Sequence, residues 1–263
     1  MTVVHPVWQR TRPEDPSDEH CGWTFAAPGV SFKNSMGFGN FAYDDTKEDP
    51  FNGAKFVRDL YELADEPEAT KSVPILWDTK HKTIVNNESS EIIKIFNSSF
   101  NAFAKNPDLD LNPVALQAAQ KEIDDWSYEG INNGVYKAGF ANSQEAYDIS
   151  LANLYASLDK FEALLSDGRK FATGKTFTLT DIRLWMTIAR FDEVYVVYFK
   201  CDKKKIVDYE HIFRWCKNVW KVDGIKQTLK MKHIKEHYYT SHPIRNHYGI
   251  VPAGPNFLGQ LDE

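Results

Sequence analysis

The sequence predicts an α+β protein, in which a small mixed part is followed by a long all-helical part. In the first hundred residues, short β-branched or apolar runs alternate with segments that place apolar residues at helical spacing. Beyond them, every apolar pattern has the helical period. At 263 residues, with 42% hydrophobic and 14% aromatic residues, the chain can build one large domain or two smaller ones.

The mixed part begins with a strand-like Thr2-Val3-Val4. From residue 5 to about residue 52 the chain is rich in Pro, Gly, Asp and aromatic residues without clear periodicity, and we predict a long irregular region. The next segment, residues 53–65, predicts a helix. Its apolar residues fall at helical spacing: Phe56, Val57, Leu60, Tyr61 and Leu63.

Two short strands and a helix complete this part. Residues 73–77 and 83–85 are apolar, and the DTKHK sequence between them suits a hairpin. A helix is predicted after Asn87. Its predicted buried face consists of Ile92, Ile93, Phe96, Phe100 and Phe103. The predicted order is therefore strand, loop, helix, strand, strand, helix.

The helical part carries clear start signals. Asn112 and Pro113 have the residue types of an N-cap and a first helical position. Thr178 and Asp181 have the spacing of a capping box before the most apolar segment, residues 177–199, which we expect to be central. Two further amphipathic helices are predicted, over residues 143–167 and 209–222.

Charge and cysteine content exclude several classes of protein. The net charge of −6 and the pI near 5.8 argue against nucleic acid or an anionic membrane as a partner. Three cysteines, without a C-x-x-C pair, indicate a reducing compartment, and we expect a cytoplasmic location. No apolar stretch reaches transmembrane length, and the N-terminus lacks the apolar core of a signal peptide.

One stretch, residues 72–93, looks like a binding site. Pro74 stands at the start of an apolar run, and Glu88 and Ser89 fall at the start of a predicted helix. A carboxylate there can hold an ammonium group, while a hydroxyl and free helical N–H groups can hold a carboxylate. The alternative is that these residues only cap the helix, although capping does not explain the glutamate.

Several motifs resemble the xi-class glutathione transferases, which are the glutathionyl-hydroquinone reductases and are close to the fungal omega-like enzymes. They are VPILWD, TIVNNESSEII, TDIRLWMTIARFDEVYVVYFKC, HIKEHYYTSHPIRNHYGIVPAGP, TVVHP and GWTF. The resemblance covers nearly all of the chain. It implies a glutathione-transferase fold, with a thioredoxin-like glutathione-binding domain over residues 1–104 and an all-α domain with an extended tail over residues 105–263. It also implies glutathione as co-substrate and a homodimer.

The sequence departs from this family at the nucleophile. The family carries a cysteine in a C-P-W-A motif after its first strand, and this sequence contains no such motif. The family's TVVHP lies on the second strand, whereas here it stands at residues 2–6. We therefore expect an incomplete thioredoxin-like domain without its first strand and helix, a frayed or rearranged N-terminal region, and no catalytic cysteine. Such a chain is expected to be inactive alone; the alternative is a non-catalytic glutathione-binding or interaction protein.

The resemblance also assigns roles to the binding site. Val73 would bond the backbone of glutathione before a cis Pro74, and Glu88 and Ser89 would hold its γ-glutamyl end. Trp23 resembles the tryptophan that lies along glutathione in these enzymes. From the residues alone, a trans proline, a helix cap and a packed loop tryptophan remain the alternatives.

The implied reaction transfers the glutathionyl group of an aromatic or quinol thioether to a thiolate, and a second glutathione resolves the disulfide. Tyr136, Tyr195 and Tyr239 are candidates for the acceptor pocket, since phenol rings suit a flat hydroquinone; the alternative is three core tyrosines. Cys21 is not placed to open a helix. His233 and His237 have i, i+4 spacing, but without a third ligand we predict no metal site.

Overall fold

The computed structural model describes all 263 residues, and its strands lie within the first 86 residues. The six strands are β1 (His5–Arg10), β2 (Cys21–Thr24), β3 (Ser31–Phe32), β4 (Phe41–Ala42), β5 (Leu76–Asp78) and β6 (Thr83–Asn86). The mixed part therefore precedes the all-helical part, and the predicted α+β class is confirmed.

Eleven α-helices account for most of the regular secondary structure. They are α1 (Val57–Leu63), α2 (Ser89–Ser98), α3 (Val114–Ser127), α4 (Gly134–Gly139), α5 (Gln144–Leu165), α6 (Leu179–Arg190), α7 (Val196–Tyr198), α8 (Glu210–Trp220), α9 (Ile225–Thr228), α10 (Met231–Thr240) and α11 (Phe257–Gln260). Two π-helical segments, Tyr128–Asn132 and Phe191–Tyr195, continue α3 and α6. None of these helices combines the length and the apolar composition needed to cross a lipid bilayer.

The chain divides into two compact units. The first consists of Met1–Ile92 together with Lys232–Pro252, and the second of Ile93–Met231 together with Ala253–Glu263. The predicted domain boundary at residue 104 differs from this division in two respects. The units part within α2, and a segment from near the C-terminus belongs to the N-terminal unit.

The sheet of the first unit consists of three separate antiparallel ladders. β1 pairs only with β2, β3 only with β4, and β5 only with β6. The prediction of an irregular region from residue 5 to residue 52 was therefore wrong, since four strands lie in it. Alternation was hidden because a bulge between His5 and Gln9 shifts the register of β1. The predicted strand at Thr2–Val4 begins instead at His5.

Side chains of the C-terminal segment cover the second edge of β1. The carbonyl oxygen of Pro6 lies 2.8 Å from Nδ1 of His237 and accepts a hydrogen bond from Oγ of Ser241 at 3.3 Å. The Trp8 N–H donates to the same Ser241 hydroxyl at 3.2 Å. Backbone groups at an unpaired edge need such partners. Side chains of the C-terminal segment thus supply partners for backbone groups of β1. The frayed or rearranged N-terminal region stays a prediction.

Helix α1 is shorter than its pattern predicts. Its start is set by Asp59, whose carboxylate accepts hydrogen bonds from the backbone N–H groups of Phe56 at 2.7 Å and Lys55 at 2.9 Å. Val57, Leu60 and Tyr61 are buried, whereas the last predicted core residue of this helix, Leu63, is exposed.

The buried face predicted for the helix after Asn87 was largely wrong. Only Ile92 is buried, and Phe96, Phe100 and Phe103 are 60%, 41% and 88% exposed. Helix α2 ends at Ser98, and a 3-10 turn over Asn101–Phe103 follows. The apolar spacing continued past Ser98, so Phe100 and Phe103 do not share the face of α2, whereas Phe96 lies within the helix and is exposed there.

The second unit buries a large aromatic core around α5, α6 and α8. The predicted capping box at the start of α6 is confirmed: the Asp181 carboxylate accepts the Thr178 N–H at 2.9 Å. It also accepts the N–H of Ala172 at 2.8 Å and Nε1 of Trp215 at 2.9 Å. The central position expected for residues 177–199 is confirmed, since eight residues of α6 and all five of the π segment are buried.

Candidate functional site

The Val73–Pro74 peptide bond is cis, as the resemblance implied. Val73 is 37% exposed, and its backbone N–H and C=O have no hydrogen-bond partner within the chain. The strand that follows begins at Leu76, three residues later than predicted. A main-chain N–H and C=O without partners in the chain can pair with an extended peptide in the manner of an added strand.

The start of α2 presents free polar groups. Glu88 and Ser89 are exposed, and neither the Glu88 carboxylate nor the Ser89 hydroxyl has a partner within the chain. Asn86 Oδ1 accepts the Glu88 N–H at 2.7 Å, and the Glu88 carbonyl accepts the N–H groups of Glu91 and Ile92. The Glu88 carboxylate and the Ser89 hydroxyl are therefore open to a ligand, and their role in binding one stays a prediction.

Tyr61 joins these two segments. Its ring is fully buried, and its hydroxyl donates to the carbonyl oxygen of Ser72 at 3.0 Å. The hydroxyl oxygen of Tyr61 also accepts a hydrogen bond from Nδ2 of Asn87 at 3.0 Å. Ser72 directly precedes Val73, and Asn87 directly precedes Glu88. One phenol oxygen thus fixes the spacing between the peptide-binding edge and the exposed carboxylate.

Trp23 lies on β2 within the same unit and is half-buried. Its ring stacks on His237, with centroids 4.3 Å apart and planes inclined by 22°. The ring of Trp8 lies edge-on to the ring of Trp23, with centroids 5.8 Å apart. The tryptophan is therefore part of an aromatic cluster, and its remaining exposed surface is available to a ligand.

Two of the three predicted acceptor tyrosines lie together in the second unit. The rings of Tyr136 and Tyr195 are 6.0 Å apart in an edge-to-face arrangement. Phe199 stacks on Tyr195 at 5.3 Å and meets Tyr136 at 5.5 Å. Tyr136 is 39% exposed, whereas Tyr195 is 1% exposed. Tyr136 can thus meet a ligand directly, and Tyr195 supports it from the core.

A glycine allows this aromatic cluster to close. A Cβ atom on Gly139 would lie 2.2 Å from the ring of Phe199, which is far inside contact distance. The third predicted tyrosine, Tyr239, lies on α10 in the first unit and is buried.

The three thiols lie in surroundings that keep them protonated. Cys21 lies on β2 and not at a helix start, and burial raises its pKa. Burial raises the pKa of Cys201 to about 12 and that of Cys216 well above its usual value. A nucleophilic thiolate needs the opposite effect, such as a helix N-terminus or a cation that lowers the pKa.

The histidine pair with i, i+4 spacing serves packing on α10. His233 Nε2 lies 2.8 Å from a carboxylate oxygen of Asp45, and its ring meets the ring of Tyr43 edge-on. His237 contacts Pro6 and Trp23 as described above. Each ring is therefore engaged by a different partner in the first unit.

Sequence reasoning missed three residues that organise this site. Tyr61 and Leu60 had the same status, as apolar residues at helical spacing, and nothing local marked the phenol oxygen as a bridge. Asn87 was considered only as part of the alternative in which this segment caps the helix. His237 was weighed as a metal ligand and rejected as one, but its stacking partner could not be predicted because Trp23 is more than two hundred residues away.

Comparison with known proteins gives consistent results. Residues 144–218 match the family model for the glutathione S-transferase C-terminal domain. Over 219 residues the chain is 44% identical to the glutathionyl-hydroquinone reductase YqjG of Escherichia coli, covering 80% of this chain and 66% of YqjG. It is 40% identical to the glutathionyl-hydroquinone reductase PcpF of Sphingobium chlorophenolicum, over 89% of this chain and 70% of PcpF.

Solved structures agree with these relatives. The glutathione-bound structure of YqjG matches with a TM-score of 0.82 and covers 97% of this chain and 74% of that chain. The Xi glutathione transferase of Phanerochaete chrysosporium matches with the same score at 40% identity, over 97% of this chain and 80% of its own. This chain thus spans about two thirds to four fifths of the length of these proteins.

Proposed function

Because this chain belongs to the xi-class glutathione transferases, the family of the glutathionyl-hydroquinone reductases, we propose that it binds glutathione at Trp23, Val73, Pro74, Glu88 and Ser89. The observation that carries this proposal is the Tyr61 bridge. It holds the free backbone edge at Val73 and the free carboxylate of Glu88 at a fixed spacing.

The chemistry of glutathione fits these groups. The Glu88 carboxylate suits the ammonium group of the γ-glutamyl end. The Ser89 hydroxyl, together with the first N–H groups of α2, suits the adjacent carboxylate, because helix N-termini favour anions. The N–H and C=O of Val73 suit the extended cysteinyl backbone, and Trp23 supplies an apolar wall.

The reaction we propose is the glutathione-dependent reduction of glutathionyl-hydroquinones. A thiolate attacks the sulfur of the quinol thioether, a disulfide forms, the carbon–sulfur bond breaks, and the ring carbon takes a proton. A second glutathione thiolate then attacks the mixed disulfide and releases oxidised glutathione. Tyr136 is proposed to hold the quinol through its exposed ring and hydroxyl group, with Tyr195 supporting it from the core. The assignment of Tyr239 to the acceptor pocket stays a prediction.

The same residues favour a second candidate, a non-catalytic glutathione-binding protein. The three thiols of these 263 residues have raised pKa values, and none of them opens a helix. We therefore expect the 263-residue polypeptide to bind glutathione without turning over a glutathionyl-hydroquinone. Clear turnover would contradict that expectation, and loss of turnover in Cys21→Ser would then identify the nucleophile.

Calorimetric titration with glutathione tests the binding site. Glu88→Ala should raise the dissociation constant about tenfold or more, because a charge-assisted hydrogen bond contributes about 1.5–3 kcal/mol. Glu145→Ala is the matched control, since Glu145 is also an exposed glutamate in the first turn of a helix. Equal affinities of the wild type and the Glu88 variant would refute the assigned role of Glu88.

We further propose a homodimer, which light scattering can test, and a cytoplasmic location. The location is supported by three unpaired cysteines, since disulfides are rare where thiols are kept reduced. The division into fold domains at residues 1–104 and 105–263 remains a prediction.

A further inference from the structure

We infer that His237 is a positioning residue for the glutathione site, so that the C-terminal segment Lys232–Pro252 is a working part of that site. The inference rests on the function proposed above, because it assigns Trp23 to the ligand. It concerns a residue that does not itself touch glutathione but sets the orientation of a side chain that does.

His237 makes two contacts that together fix its ring. Its ring face stacks on Trp23 at 4.3 Å, while its Nδ1 lies 2.8 Å from the carbonyl oxygen of Pro6. Because that oxygen can only accept, Nδ1 carries the proton and donates. The hydrogen bond fixes the plane of the imidazole, and the imidazole plane in turn fixes the plane of the indole.

The same histidine contacts both β1 and β2. Pro6 lies on β1 and Trp23 lies on β2, the two strands that pair only with each other. Trp8 of β1 meets both rings edge-on, at 5.8 Å from Trp23 and 5.3 Å from His237. His237 therefore connects the two strands through side chains on the face that carries Trp23.

The helix that carries His237, α10, is held in place by side-chain contacts. One turn earlier, His233 pairs with Asp45 at 2.8 Å. The hydroxyl of Tyr43 donates to the carboxylate of Glu236, and Nζ of Lys232 donates to the carbonyl of Ala42 at 3.2 Å. These contacts of the residues that precede His237 hold α10 in place, so the imidazole does not depend on a loose terminus.

Three variants separate the stacking of His237 on Trp23 from its hydrogen bond to Pro6. His237→Phe keeps an aromatic face and loses the donor to Pro6. His237→Asn keeps an amide nitrogen near the place of Nδ1 and loses the ring. His237→Ala loses both. The control is His247→Ala, in the same C-terminal segment, whose ring packs on Phe38 and Tyr248.

The experiment measures glutathione affinity by calorimetry and the state of Trp23 by fluorine NMR of protein labelled with 5-fluorotryptophan. Seven resonances are expected for the seven tryptophans, and Trp23→Phe assigns the relevant one. His237→Ala should raise the dissociation constant about three- to tenfold, as expected from the loss of an aromatic pair. Its Trp23 resonance should shift before glutathione is added.

The variants have distinct expected outcomes. His237→Phe should displace the Trp23 resonance less than His237→Asn does, because it keeps the stacked ring and loses only the hydrogen bond that fixes the ring plane. His247→Ala should change neither resonance nor affinity. Thermal melting identifies any variant that fails to fold, and the remaining variants still decide the question.

Two failures can be told apart. If the wild type binds glutathione and His237→Ala binds it equally well with an unmoved Trp23 resonance, the positioning role is wrong while the proposed function stands. If the wild type binds no glutathione, the proposed function itself fails, and the role of His237 in that site fails with it.

Discussion

The two units of this molecule achieve their order by different means. Of the twelve largest fully buried side chains, eleven belong to the second unit, and Tyr61 alone belongs to the first. The second unit is stabilised by the burial of large apolar side chains, the dominant favourable contribution to folding. The first unit has short two-stranded ladders, and its order depends on individual hydrogen bonds and ring contacts made by polar side chains.

This difference matters for function because the proposed glutathione-binding residues all lie in the unit with the smaller core. A site held by a few polar contacts is sensitive to the loss of any one of them. The helical unit, in contrast, contains many redundant apolar contacts. We therefore expect substitutions to affect stability mostly through the second unit and ligand affinity mostly through the first.

The largest effect is expected for Asp181→Ala in the second unit. The buried carboxylate accepts hydrogen bonds from Ala172, Thr178 and Trp215, and its removal leaves these donors unsatisfied. We expect the free energy of unfolding to fall by about 3–5 kcal/mol, measured by denaturant titration. Asp223→Ala, at an exposed aspartate, is the control and should change little. A loss below about 1 kcal/mol would show that this unit does not depend on the buried carboxylate.

Hydrogen exchange compares the two units directly. Backbone amides of α6 and α8 should exchange about a hundredfold or more slowly than those of β1 and β5, since regions with few buried apolar contacts open at lower free energy. Mass spectrometry of peptides from the intact chain measures this ratio. Equal protection of the helices and the strands would overturn the comparison.

The stability of the second unit should depend on pH through the buried carboxyl group of Asp192. Burial raises the pKa of Asp192 to about 6, opposed by the backbone N–H groups of Ile206 and Val207 and by Lys205, while Asp208 raises it further. Because the folded value lies above the unfolded value of about 3.9, the folded protein holds this proton more tightly. The resulting stability is present below about pH 4 and is lost as pH rises through about 6.

The measurement is the free energy of unfolding between pH 4 and pH 7 for the wild type and Asp192→Asn. The wild type should lose about 1–3 kcal/mol relative to the variant over this range. Parallel curves for the two proteins would mean that the proton is bound equally in the folded and unfolded states.

The smallest effect on stability is expected for Tyr61→Phe in the first unit. Removing the hydroxyl leaves the Ser72 carbonyl and the Asn87 amide without the partner that joins them, and we expect a cost of about 1–2 kcal/mol. Glutathione affinity should fall as well, because the spacing of Val73 and Glu88 is no longer fixed. Leu60→Val is a suitable control at the neighbouring buried position. It should cost stability without a specific loss of affinity.

Features that depend on neighbours in the sequence could be predicted. The capping box of Thr178 and Asp181, the hairpin between β5 and β6, and the helical periodicity of residues 143–167 all follow from local patterns. The exposure of Phe100 and Phe103 was mispredicted because an apolar period does not reveal where a helix stops.

Features that depend on distant residues could not be predicted. The ordering of β1 requires Ser241, which lies more than two hundred residues away along the chain. The partner of Trp23 is equally distant. No local property of a histidine or a serine indicates which backbone group it will contact, since tertiary packing decides that.

The return of Lys232–Pro252 to the first unit also orders events during translation. The ribosome releases β1 and β2 before Ser241 and His237, which are synthesised more than two hundred residues later. Until then Pro6 and Trp8 lack their native partners and are open to chaperones or to wrong pairing. The helices of the second unit, apart from its short final segment, emerge before Ser241 and His237. Strands β1 and β2 therefore gain their last native contacts after those helices have been made.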